Sequence, residues 1–213
     1  MEYLFSSIIG YLLGSFPTAY IFIKNVEGKD ITKEGSGNVG AMNSFEVSNS
    51  KVIGYSVFVV DFLKGSASVL IPRFIFPSEF IFPAISLFFA VFAHCYNPWL
   101  NFKGGRGLST AAGGAAFLFP FLLIVWAALW GIIYLMKKNI IIANISSTIL
   151  SLLVVFSSEG IAVKYAFPNP VSSAILVFTS SAVLVIIFIR HIEPLKELIS
   201  LQKKIFKDKR NEK

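Results

Sequence analysis

The stretch that decides the fold is Gly107–Met136, GLSTAAGGAAFLFPFLLIVWAALWGIIYLM. It is apolar throughout, longer than the roughly 20 residues of a single membrane crossing, and carries Pro120 in its interior. Charge parity sets whether it crosses once or twice. With one crossing, Lys137 and Lys138 lie opposite Lys103 and Arg106, and the C-terminal basic run lies opposite the first basic loop. With two crossings and a turn near Pro120, four basic regions share one side. These are Lys24, Lys29, Lys33 and Lys51; Lys103 and Arg106; Lys137 and Lys138; and everything from Arg190 onward. Only Arg73 and Lys164 then remain on the other side, and Lys64 lies within an apolar block. The excess of Lys and Arg in cytoplasmic loops selects the second arrangement.

The other apolar blocks, Tyr3–Ile23, Val52–Ile71, Phe80–Leu100, Ile140–Phe156 and Val171–Ile189, each have single-helix length. The reading is therefore an all-α polytopic membrane protein of about seven transmembrane helices, with the N-terminus outside and the C-terminus cytoplasmic. Gly107–Phe119 is the short segment: thin, tilted or re-entrant, and tolerable only under cover of other helices. The composition agrees. The 213 residues are 55% hydrophobic and 15% charged, with a mean hydropathy of +0.71, against about a quarter charged in soluble domains. A soluble enzyme, a disordered chain and a disulfide scaffold are excluded. One cysteine, Cys95, makes no intramolecular disulfide, and two histidines are too few for a metal cage.

Residues 1–199 form the membrane domain and residues 200–213 a basic tail. Six of the 19 Lys and Arg fall there: Lys203, Lys204, Lys207, Lys209, Arg210 and Lys213. Beside an apolar helix such a run suits anionic lipid rather than nucleic acid. Met1-Glu2-Tyr3 lacks the basic start of a cleaved signal peptide, so the first block reads as a retained helix. Its Gly10 and Gly14 suit close helix packing.

Two polar loops carry the chemistry. Gly35-Ser36-Gly37-Asn38-Val39-Gly40 fits the spacing of a dinucleotide fingerprint, but it follows a membrane helix rather than a strand. A nucleotide P-loop fails as well, because Ala41 and Met42 stand where Lys and Ser or Thr are needed. What survives is backbone N–H groups free to converge on an anion, with Ser36, Asn38 and Asn43 as further donors. The second loop, Lys103-Gly104-Gly105-Arg106-Gly107 followed by Ser109 and Thr110, falls on the same side by parity. Two such loops at one membrane face suit a single phosphate. Asp61 and Lys64 share one face of the second span, either as a neutralised pair or as a wall of the site. His94 ends the third block near that same face, more in keeping with a structural hydrogen-bonding group than with a base.

Taken together, these stretches resemble the bacterial acyl-phosphate-dependent glycerol-3-phosphate acyltransferases. Gly14-Ser15-Phe16-Pro17-Thr18-Ala19-Tyr20 is similar to the family's first-helix motif, and Gly35–Asn43 to its GSGN-x-GATN loop. Asp61-Phe62-Leu63-Lys64-Gly65 resembles its D-x-x-K-G, and His94–Thr110 its region ending in FKGGKGVAT. Arg190-His191 resembles the RH that closes its last helix. The matches keep the family order over nearly the whole chain.

The resemblance implies a cytoplasmic-side site in a bacterial inner membrane. It implies transfer of a fatty acyl group from acyl phosphate to glycerol 3-phosphate, giving lysophosphatidate and phosphate, with no metal or nucleotide cofactor. Ser36, Asn43, Lys103, Arg106 and His191 are its implied catalytic set, with Ser36 in the phosphate loop rather than acting as a covalent nucleophile. Gly35, Gly37, Asn38, Gly40, Gly104, Gly105, Thr110, Asp61, Lys64, His94 and Arg190 are the implied binding set. The chain departs from the family at Thr32, Glu46 and Glu197, where Arg is usual. It departs also at Met42 for Thr, Arg106 for Lys and Pro194 for Asn. Those departures keep open a relative that binds phosphorylated lipid without turnover or that takes another acceptor; a transporter fits less well.

Overall fold

The computed structural model describes residues 1–211, with side chains through Lys204. Of the expected basic tail, the side chains of Lys207, Lys209 and Arg210, and Lys213 as a whole, lie outside the described residues. Among the described residues there is no strand. The helices are α1 (Glu2–Ser15), α2 (Thr18–Glu27), α3 (Ala41–Ser48), α4 (Lys51–Ile75) and α5 (Ile81–Cys95). They continue as α6 (Leu108–Leu118), α7 (Pro120–Lys137), α8 (Ile140–Ser157), α9 (Glu159–Lys164) and α10 (Ser173–Asn211).

Among the described residues six segments are long and apolar enough to span a bilayer: Glu2–Glu27, Lys51–Ile75, Ile81–Leu100, Pro120–Lys137, Ile140–Ser157 and Ser173–Lys204. Leu108–Leu118 is the shorter apolar seventh. Its 11 residues reach roughly 16 Å at 1.5 Å per residue, about half the hydrocarbon thickness. The packing accounts for the shortfall. A Cβ on Gly65 would strike the Thr110 carbonyl, and one on Gly113 would strike that of Phe62. Thus α6 lies backbone to backbone on α4, and Ser66 Oγ donates to the Gly113 carbonyl at 3.1 Å. Gly65 stands 14 residues along α4, whose first residue is Lys51, so α6 begins roughly 20 Å along it. The loop ahead of α6 is sunk into the bundle. At the far end, Arg73 Nη1 donates to the Phe117 carbonyl at 3.4 Å and lies 4.0 Å over the Phe167 ring.

The first span is broken between α1 and α2 at Phe16-Pro17. Proline has no N–H to continue the ladder, and a carbonyl freed inside lipid needs another donor. Asn97 Nδ2 donates to the Ser15 carbonyl at 2.7 Å, and Lys64 Nζ to the Phe16 carbonyl at 3.1 Å. The Gly10 and Gly14 face packs directly on the α5 backbone at Ser86 and Ala90. In lipid, such contact and interhelical hydrogen bonds replace the hydrophobic drive that holds a soluble bundle. Leu87 and Val91 of α5, Leu118 of α6 and Leu176, Val183 and Ile187 of α10 form the buried centre. α7 is tied to α8 by Trp126 Nε1 on Thr148 Oγ1 at 3.2 Å and Trp130 Nε1 on Asn144 Oδ1 at 2.7 Å.

Candidate functional site

At one end of the bundle the two glycine-rich loops and α10 enclose a cavity of about 350 Å³. The first loop is held from within. Asn43, only 1% exposed, accepts from the Ser36 N–H through Oδ1 at 3.0 Å. Its Nδ2 donates to the carbonyls of Glu34 at 3.0 Å and Asn38 at 2.9 Å. Gly37 completes the turn at φ +67, a left-handed conformation that glycine adopts at no steric cost. The second loop is clamped from three sides. Gly105 N–H donates to the His94 carbonyl at 3.1 Å, and Val39 N–H of the first loop to the Gly104 carbonyl at 3.3 Å. Arg190 spans both carbonyls, Nε to Gly105 at 3.1 Å and Nη2 to Gly104 at 3.1 Å. A side chain at Gly105 would collide with the His94 imidazole.

Of the residues singled out from the sequence, Ser36, Gly37, Asn38, Lys103, Gly104, Arg106 and Arg190 line the cavity. Among the described residues no carboxylate comes within 4.0 Å of Lys103 or Arg106. Their charge is available to a ligand. Burial lowers the proton affinity of Arg106, and Arg190 lowers it further, while Glu197 and Glu46 raise it. Glu46 acts from outside the cavity lining, whereas Glu197 is part of it.

The remaining singled-out residues stand elsewhere. Gly35, Gly40, Asn43 and Gly105 shape the loops from behind. Asp61, Lys64 and His94, read as a possible wall, are buried outside the lining. Lys64 Nζ is 2.8 Å from Asp61 Oδ1, though off the hydrogen-bond axis of that oxygen. His94 Nδ1 is 3.8 Å from the same atom. The ammonium is engaged at Phe16, so the group seals the broken first span. Thr110 is fully buried beneath Gly65. His191, expected among the catalytic residues, is 1% exposed and outside the lining. Its Nδ1 donates to the Ile187 carbonyl at 2.8 Å, which leaves Nε2 to accept from Asn144 Nδ2 at 3.1 Å.

The lining also includes Thr32, Phe102, Ile189, Glu193, Pro194 and Glu197. Glu193 is the charged lining residue that the sequence reading passed over. The signal was present: Arg190, Glu193, Pro194 and Glu197 recur at helical spacing and so share one face of α10. Next to Leu108 an apolar crevice runs between α6, α7 and α10, lined by Ala111, Ala115, Phe119, Trp126 and Leu184 among others.

Fold and cavity together define a polytopic membrane protein with a cationic, glycine-lined chamber at one end of its helical bundle. A sequence profile of the family glycerol-3-phosphate acyltransferase matches residues 4–201. The chain is 36% identical over 154 residues to the glycerol-3-phosphate acyltransferase of Pelagibacter ubique, covering 72% of this chain and 77% of that one. It is 38% identical over 159 residues to that of Staphylococcus saprophyticus, covering 69% and 78%. The solved structure of PlsY, an integral membrane glycerol 3-phosphate acyltransferase in its glycerol 3-phosphate form, superposes with a TM-score of 0.77 at 30% identity. That match covers 94% of this chain and 93% of that one. The protein belongs to the glycerol-3-phosphate acyltransferase family.

Proposed function

We propose that this protein transfers a fatty acyl group from acyl phosphate to glycerol 3-phosphate, giving lysophosphatidate and inorganic phosphate. The carrying observation is the Gly104 carbonyl, which accepts from both Val39 and Arg190. That node joins the two loops and α10 into one chamber and leaves Ser36, Lys103 and Arg106 facing it. In the reaction the acceptor hydroxyl oxygen bonds to the acyl carbon, the bond from that carbon to the phosphate oxygen breaks, and the hydroxyl proton ends on the phosphate released. Both substrates bring phosphate, so catalysis rests on positioning and on fixed positive charge where negative charge develops.

Lys103 and Arg106 hold phosphate, and Ser36, Gly37 and Asn38 supply loop donors. Asn43, Gly105 and Arg190 keep the loops in place. Asp61, Lys64 and His94 support them from beneath, and His191 serves as a buried neutral link to α8. The crevice beside Leu108 takes the apolar end of the donor. The clustering of basic regions around the cavity supports a cytoplasmic site in a bacterial inner membrane, with the N-terminus outside and residues 200–213 meeting anionic lipid on the inner face.

The test is phosphate release from palmitoyl phosphate by the purified protein, with and without glycerol 3-phosphate. Release that depends on the acceptor and matches lysophosphatidate one for one is the expected result. Release without acceptor dependence, or none from folded protein, would overturn the reading.

A further inference from the structure

From α10 the chamber is lined by Arg190, whose guanidinium is taken up by the Gly104 and Gly105 carbonyls, and by Glu193 and Glu197, one helical turn apart. Ser36, Lys103 and Arg106 line the same chamber from the two loops. Among the described residues neither carboxylate has a cation within 4.0 Å, so their acceptor capacity is unspent. Glu197 is near enough to Arg106 to act on its charge, and among the described residues the two do not pair. The chamber is therefore bipolar. A phosphate laid against α10 meets like charge, which rejects that pose. A hydroxyl in the same place donates to a carboxylate, the stronger class of hydrogen bond.

We propose that Glu197, with Glu193 beside it, is the acceptor-hydroxyl subsite and sets acceptor specificity. It receives the non-reacting hydroxyl of glycerol 3-phosphate and turns the phosphate toward Lys103 and Arg106. This rests on the acyl-transfer reading and adds to it the direction in which the acceptor lies.

The experiment compares two acceptors with palmitoyl phosphate as donor. One is glycerol 3-phosphate. The other is 3-hydroxypropyl phosphate, which keeps the phosphate and the primary hydroxyl and lacks the secondary one. The unaltered protein prefers glycerol 3-phosphate in kcat/KM by about 10- to 100-fold, the range of one hydrogen bond to a charged group. Glu197→Ala brings the ratio to within about threefold, and Glu197→Gln leaves an intermediate ratio, because an amide oxygen still accepts without the charge. Lys196→Ala, exposed and outside the lining, leaves the ratio as it was. An unchanged ratio in Glu197→Ala, no preference in the unaltered protein, or complete loss with both acceptors in both Glu197 variants overturns the proposal. Turnover with an unchanged ratio removes this proposal alone, whereas no turnover by the unaltered protein removes the acyl-transfer reading with it.

Discussion

Asn43 offers the sharpest test of how the first loop works. Its amide orientation follows from its neighbours: the Ser36 N–H requires the oxygen, and the Glu34 and Asn38 carbonyls require the nitrogen. Asn43→Ala removes three hydrogen bonds, each contributing about 0.5–1.5 kcal/mol net. The sum centres on about 3 kcal/mol, roughly two decades in loop occupancy at 1.4 kcal/mol per decade. Asn43→Asp changes almost no volume and keeps the acceptor for Ser36. It also sets a carboxylate oxygen against two carbonyl oxygens at 3.0 and 2.9 Å. An isostere that only filled space would be silent; here it is as damaging as alanine. The assay is kcat and KM for glycerol 3-phosphate at several pH values, with thermal unfolding alongside. In both variants kcat/KM falls roughly 100-fold while unfolding shifts little. The Asp variant recovers partly as pH falls, because a buried carboxyl has a raised pKa and its protonated form donates once more. Activity of Asn43→Asp within about threefold of the unaltered protein at neutral pH would refute the account.

Two further outcomes follow from the same geometry. Asp61→Asn or Lys64→Met alone breaks a buried ion pair and destabilises by about 3–5 kcal/mol. The double change Asp61→Leu with Lys64→Met recovers only part, because the Phe16 carbonyl still lacks its donor; full recovery in thermal unfolding would show that Lys64 does not seal the broken span. The Thr32 hydroxyl, donating at 2.8 Å, holds the Asp30 carboxyl below its usual pKa. The turn at Ile31–Lys33 is thus fully supported above the unfolded carboxylate value of about 3.9 and loses that support as pH falls through the lower folded value. Thr32→Ala raises the Asp30 pKa toward the ordinary value in an NMR titration, and an unmoved titration would assign the depression to another group.

The spans were legible in the sequence, because hydropathy belongs to each segment by itself. The short reach of Gly107–Phe119 was visible too, as were the two glycine-rich loops that meet at Val39 and Gly104. What each polar side chain faces was not. Asp61, Lys64 and His94 carry the same credentials as Lys103 and Arg106, charged or titratable groups close to apolar blocks. Only the docking of the first span on α4 and α5 directs the Lys64 ammonium to the Phe16 carbonyl while Lys103 and Arg106 remain open to the chamber. Arg190 and His191 are adjacent in sequence, yet successive residues on a helix point about 100° apart. Arg190 turns to the Gly104 and Gly105 carbonyls and His191 to Asn144 on α8. The identity of the loop residues set what chemistry was on hand; the rotation of α10 against its neighbours decided which groups a substrate meets.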